Sequence, residues 1–75
     1  MIRPTAEEWA QPTRGGWRLT VTYGGADGYT ETRDIWPTSG KPWSFAGGNR
    51  RINQEWRNPP EGLWVEMTRL LRITH

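Results

Sequence analysis

Residues 61–75, EGLWVEMTRLLRITH, carry two periodicities at once, and the fold depends on which one wins. Read with period two, Leu63, Val65, Met67, Leu71 and Ile73 share one face, broken only by Arg69, while Trp64, Glu66, Thr68, Leu70, Arg72 and Thr74 take the other. Read with helical period, Asn58 caps, Pro59 occupies the first position and Glu61 closes a capping box. Leu63, Met67, Leu70, Leu71 and Thr74 then line one face. Gly62 weakens a helix begun there. The strand reading is favoured because the rest of the chain supplies only two strands, and a lone hairpin is not stable in water without a third.

Those two strands flank GGADG, residues 24–28. From Trp17 the alternation is strict: Trp17, Leu19, Val21 and Tyr23 lie on one side, with Arg18, Thr20 and Thr22 on the other, as in a half-buried strand. Asp27-Gly28 is a turn pair that reverses the chain. Tyr29–Trp36 then forms a second strand. Tyr29, Glu31, Arg33 and Ile35 share one face and Thr30, Thr32, Asp34 and Trp36 the other, so neither face is cleanly apolar, as at an edge or at a bend between layers. Pro37 ends its ladder. Arg18, Thr20, Thr22, Thr30, Thr32 and Arg33 supply a polar surface with two readings. It is either a solvated edge that resists aggregation or a face of hydroxyls and guanidinium groups suited to a polyanion.

Residues 38–50 read as a loop touched by Trp43 and Phe45. Asn49–Arg57 reads as about two turns of helix, with Asn49 as cap and Ile52 and Trp56 one turn apart; Asn58-Pro59-Pro60 stops it. Residues 1–14 read as a partly ordered arm in which Thr5 and Glu8 have capping-box spacing and Trp9 docks on the core. A 75-residue chain sustains one small core, hence a single domain. With no cysteine to staple it, most of the six Trp are expected inside and one or two free. The expected class is mainly β, with α+β as the variant: a small SH3-like twisted sheet or barrel with one or two short helices. The N-terminus lacks the apolar run of a signal peptide, and no stretch has the ~20 apolar residues of a membrane span. A cytoplasmic location without a membrane partner is the expectation.

The inventory argues against catalysis. The one histidine is His75, cysteine is absent, and Ser39 and Ser44 have no base near in sequence, so neither a triad nor a thiol nucleophile can be assembled. No His/Cys/carboxylate cluster has metal-ligand spacing. Glu7-Glu8, and the pairs Glu31 with Asp34 and Glu55 with Glu61, read as solvated charges. The glycine runs match neither a phosphate loop nor a dinucleotide loop. Gly47-Gly48-Asn49-Arg50-Arg51 has the elements of an anion cradle at a helix start, or is a plain loop with solvated arginines. No enzyme, cofactor or metal is expected.

Binding remains. Nine of the ten basic residues are Arg and the net charge is +2, although a GC-rich coding sequence enriches Arg in the same way. Arginine interleaved with aromatics suits phosphate neutralisation and base stacking. Arg50, Arg51, Trp56 and Arg57 have that pattern in the helical segment. Arg69 and Arg72 follow Trp64 in the last strand, and Arg18 and Arg33 sit on the hairpin. DNA or RNA is the partner this predicts. Trp and Arg are equally the residues of protein hot spots.

LTVTYGGADGYTETRDIWP, residues 19–37, resembles the opening hairpin of WYL-type domains, small SH3/Sm-like barrels in which a strand ending in Tyr meets a Gly-containing turn, a Thr-x-Arg strand and a Pro. RLLRI, residues 69–73, resembles the Arg-rich strand that closes those barrels. The resemblance covers about a third of the chain. It has no counterpart of the family's Trp-Tyr-Leu motif, where Trp43-Ser44-Phe45 stands, nor of the helix-turn-helix such domains often accompany in bacterial regulators. It implies a barrel that binds nucleic acid or a nucleotide-like ligand through Tyr23, Arg33, Arg69 and Arg72. The functional expectation is therefore a non-enzymatic nucleic-acid-binding or regulatory module. The alternative is a protein-binding inhibitor or adaptor from a phage or mobile element that occupies a host protein's nucleic-acid site. An edge strand offers either one a route to homodimerisation.

Overall fold

A computed structural model of the chain describes residues 16–73. The arm expected over residues 1–14, with its Thr5–Glu8 turn and Trp9, lies outside the described residues, as do Thr74 and His75. The elements are β1 (Trp17–Gly25), β2 (Thr30–Ile35), α1 (Phe45–Arg57) and β3 (Leu63–Arg72). They form an antiparallel sheet of order β2-β1-β3, with α1 laid across one face during the crossover from one edge to the other. This is a small α+β domain, and the sheet does not close into the SH3-like barrel expected from the sequence. Three strands are too few to curl shut, and a 13-residue helix covers the apolar face that a barrel would cover with further strands.

Strand β1 is central because its inward residues are all apolar or aromatic: Trp17, Leu19, Val21 and Tyr23 are all buried. Its turn into β2 is a 3-10 turn, Ala26–Gly28, in which Asp27 (φ 59°) and Gly28 (φ 76°) are both left-handed. Asp tolerates that region and Gly enters it freely, which is why this dipeptide reverses the chain. The Gly25 N–H donates to the Tyr29 carbonyl at 2.8 Å and closes the loop.

The C-terminal segment is a strand, but its faces are not those of a simple alternation. Thr22 pairs with Met67 and Tyr23 with Val65, leaving Glu66 as an extra residue in a β-bulge. Leu63 and Val65 point toward the helix before the bulge, and Thr68 and Leu70 after it. Met67 and Leu71, read from the sequence as inward, are exposed on the opposite face. The bulge also accounts for Arg69 interrupting the apolar face of the period-two reading, since it moves Arg69 to the outer side.

Helix α1 begins a full turn earlier than expected. Ser44, not Asn49, is its cap, accepting from the Gly47 N–H at 3.0 Å, while the Asn49 amide donates to the Phe45 carbonyl. Gly47 and Gly48 are thus helix-interior residues, disfavoured there by roughly 0.5–1 kcal/mol each relative to Ala. Tertiary packing offsets this at Gly48: a Cβ there would lie 2.7 Å from Leu70 Cδ1, so the bare backbone lets the helix settle against β3. The same fact removes the anion cradle read at residues 47–51, because those backbone N–H groups lie within the helix.

The core comprises Leu19, Val21, Tyr23, Ile52 and Val65, with Ile35, Trp43, Leu63 and Leu70 packed around it. At one end Trp17 meets Phe45 edge to face, ring centroids 5.0 Å apart. Trp17 and Trp43 exchange backbone hydrogen bonds of 2.9 Å, and the Trp43 indole N–H donates to the Ile35 carbonyl at 2.7 Å. Fewer tryptophans are inside than expected. Among the described residues only Trp17 is buried and Trp43 half-buried; Trp36 is 40% exposed, and Trp56 and Trp64 are each 51% exposed. One helix covers one face of the sheet, and these three lie elsewhere. No helix among the described residues is long and apolar enough to cross a membrane.

Candidate functional site

The eight residues singled out for nucleic-acid contact do not converge on one surface. Arg33 and Arg51 belong to a network on the covered side. The Tyr23 hydroxyl, on a residue only 1% exposed, donates to the buried Glu55 carboxylate, and Arg51 Nε donates to the other Glu55 oxygen at 2.9 Å. The Arg33 guanidinium lies 5.0 Å from the Tyr23 ring centroid and is paired with Glu31. Arg33 therefore leaves the polar hairpin face to which the sequence reading assigned it, since it pairs with Val21 and shares that residue's inward side. Arg51 is half-buried and already engaged by Glu55. Arg72, opposite Trp17 on the covered side, makes an interaction of its own.

Burial and, next, the hydrogen bond to Glu55 push the Tyr23 phenol up to about 12. Its folded value lies above the ordinary value near 10, so this stabilisation is complete below about pH 10 and is lost as pH rises through about 12. The expected result is a loss of about 2–3 kcal/mol in urea-unfolding stability between those pH values. Tyr23→Phe should flatten that slope; an equal slope in the variant would place the titrating group elsewhere.

The uncovered face of the sheet carries Arg18, Thr20, Thr22, Thr30, Thr32 and Asp34 from the hairpin and Trp64, Met67, Arg69 and Leu71 from β3, by the strand pairing. Arg18 is clamped to Asp34 through two hydrogen bonds, 2.9 and 2.6 Å, which hold that carboxyl below its ordinary value and neutralise the arginine. The Thr22 and Thr32 hydroxyls bond each other at 2.9 Å. Thus much of the Thr/Arg surface is already satisfied internally. Glu31 and Asp34 project from opposite faces, each against an arginine, and among the described residues no three His, Cys, Asp or Glu side chains come together.

Arg50 and Arg57, like Arg69 on the uncovered sheet face, have no ion-pair partner among the described residues. Arg50 and Arg57 stand two turns apart on the solvent face of α1, and with Asn53, Gln54 and Asn58 they line an open depression of about 340 Å³. The opposite face, Phe45, Gly48, Ile52 and Glu55, is held on the sheet. Trp56 stands exposed on the same helix. Sequence reading singled out Arg50 and Arg57 but missed Asn53, Gln54 and Asn58; the i, i+3, i+4, i+7 spacing of Arg50, Asn53, Gln54 and Arg57 is the signal that would have found the stripe. No known family model, curated protein or solved structure matches this chain.

Proposed function

We propose that the protein is a non-enzymatic nucleic-acid-binding module and that the solvent face of α1 is its contact surface. The observation that carries this is the distribution of compensated charge. Arg18, Arg33 and Arg51 are each neutralised by a neighbouring carboxylate; of the described arginines without an ion pair, Arg69 is a single uncompensated guanidinium on the sheet face, whereas Arg50 and Arg57 share one helix face with three amides and no acid. Uncompensated guanidinium groups are what phosphates recruit, and the counterions they displace make such binding steeply salt-dependent. The hairpin's resemblance to WYL-type domains points to the same ligand class, though through other arginines.

The test is a fluorescence-anisotropy titration of labelled DNA and RNA, single-stranded and duplex, at two salt concentrations. The Arg50→Ala/Arg57→Ala variant is expected to bind at least about tenfold more weakly and to lose about two units of the log-log salt slope, with an unchanged melting temperature. Full affinity in this variant would remove α1 as the surface. Arg51 is left in place because its loss would strip Glu55 of its counter-charge.

A second reading has its own observation. Trp64, Met67 and Leu71 are large exposed side chains on the uncovered sheet face, and Trp36 follows β2 nearby in sequence. Trp is the residue on which protein contacts are most often anchored, which favours a phage- or mobile-element-type inhibitor or adaptor. Strands β2 and β3 are also both sheet edges, and an edge-strand dimer belongs to the same reading. Capture of a partner that high salt does not release, by a protein with no affinity for nucleic acid, would favour it.

A further inference from the structure

We propose that α1 is a major-groove reading helix, so that the partner is B-form duplex DNA and recognition is sequence-specific. This rests on the nucleic-acid reading above and goes one step beyond it, from phosphate attraction to base contact.

Arg50, Asn53, Gln54 and Arg57 are all exposed and fall at i, i+3, i+4 and i+7, so they point the same way from the helix. These are the residues whose donors and acceptors match base edges bidentately: Arg to guanine O6 and N7, Asn or Gln to adenine N6 and N7. A surface serving only solubility would use Lys and Glu as readily, and neither occurs on this stripe. The helix has one acidic residue, Glu55, and it is buried on the opposite face, engaged by Tyr23 and Arg51. No carboxylate therefore meets the DNA from α1.

Shape agrees with chemistry. A 13-residue helix is about 20 Å long and, with side chains, about 10–12 Å across, against a major groove about 12 Å wide. One face is pinned to the sheet, so the reading stripe faces away from the body of the domain. In the first turn the residues nearest that stripe are Ala46 and Gly47, small enough to let the helix backbone approach the groove floor. Arg50 and Arg57 are about 10.5 Å apart along the axis, a span of about three base pairs. Duplex RNA does not fit the same element, because the A-form major groove is too deep and narrow for side chains to read.

The experiment begins with selection from a randomised 20-base-pair DNA duplex pool by the intact protein. Binding of the enriched duplex, a scrambled duplex, its single strands and the equivalent RNA duplex is then measured by anisotropy, for the wild type and for Asn53→Ala/Gln54→Ala. The wild type is expected to prefer the enriched duplex over the scrambled one by about tenfold or more, and over RNA and single strands as well. The double variant should bind the enriched and the scrambled duplex alike, while keeping salt-dependent binding to both through Arg50 and Arg57. Both substitutions are at exposed positions, and a melting temperature matching the wild type verifies the fold. Absence of any enriched sequence, a preference that survives the double variant, or tighter binding to single strands or RNA would each overturn the groove-reading proposal while leaving nucleic-acid binding intact. No binding to any of these probes would overturn both.

Discussion

Trp17→Ala is expected to lower the melting temperature by about 15–30 °C and to leave a protein that urea unfolds at markedly lower concentration. Trp17 is 8% exposed and sits where three pieces of chain meet: β1, the Trp43 segment that bridges to it, and Phe45 at the first turn of α1. Truncating a buried Trp removes about 3–5 kcal/mol, from lost transfer energy and the cavity left behind. A 75-residue domain has only about 4–11 kcal/mol in total. One substitution therefore consumes a large part of the stability, and a small single-layer core has few neighbours able to collapse into the gap. Thermal melts followed by circular dichroism give the result directly. A Tm within a few degrees of the wild type would show that Trp17 does not tie α1 to the sheet.

Glu55→Ala is the second large effect, expected at about 3 kcal/mol. Glu55 is the one buried acidic residue among those described, and it is fully engaged, accepting from the Tyr23 hydroxyl and from Arg51. Its removal strands a buried phenol with no acceptor and leaves a half-buried guanidinium without its counter-charge. Tyr23→Phe alone should cost less, since the carboxylate keeps Arg51. If the two groups act as a unit, Glu55→Ala made in the Tyr23→Phe background will be milder than in the wild type by about 1 kcal/mol or more. Additive effects in that double-mutant cycle would mean that Tyr23 and Glu55 stabilise the fold independently. The network also bears on the proposed function, because it turns the single acid of α1 inward and leaves Arg50, Asn53, Gln54 and Arg57 on the outer stripe.

The parts legible in the sequence were those with a strong local signal. Strict alternation from Trp17 marked β1, and Asp27-Gly28 marked the reversal because its left-handed conformation is one that few other dipeptides adopt. The strand at the C-terminus was legible only through the requirement for a third strand, and its inner face was not. A bulge at Glu66 changes which residues face the helix, and its one trace in the alternating pattern is Arg69 on the apolar face, which does not say where the extra residue lies. The start of α1 was hidden for a related reason. Gly47-Gly48 reads as a break, and only the position of Leu70 makes a bare backbone at Gly48 favourable. The barrel implied by the hairpin's resemblance gave way to an open sheet covered by that longer helix.

The candidate site followed the same division. Composition alone identified arginine and tryptophan as the residues to watch, since charge and aromatic content are properties of the chain. Which arginines remain uncompensated is a property of pairs, and the pairs differ in reach: Asp34 meets Arg18 across the hairpin, whereas Glu31 for Arg33 and Glu55 for Arg51 are local, with Tyr23 holding Glu55 from β1. The sequence by itself determined two strands, a reversal and a surplus of arginine. The tertiary structure alone decided that the sheet stays open, that Glu66 bulges, and that Arg50 and Arg57 are left facing water with Asn53 and Gln54 between them. Local backbone preference is written residue by residue, whereas burial, and with it the engagement of Glu55 by Tyr23 and of Arg18 by Asp34, exists only once distant residues have been brought into contact.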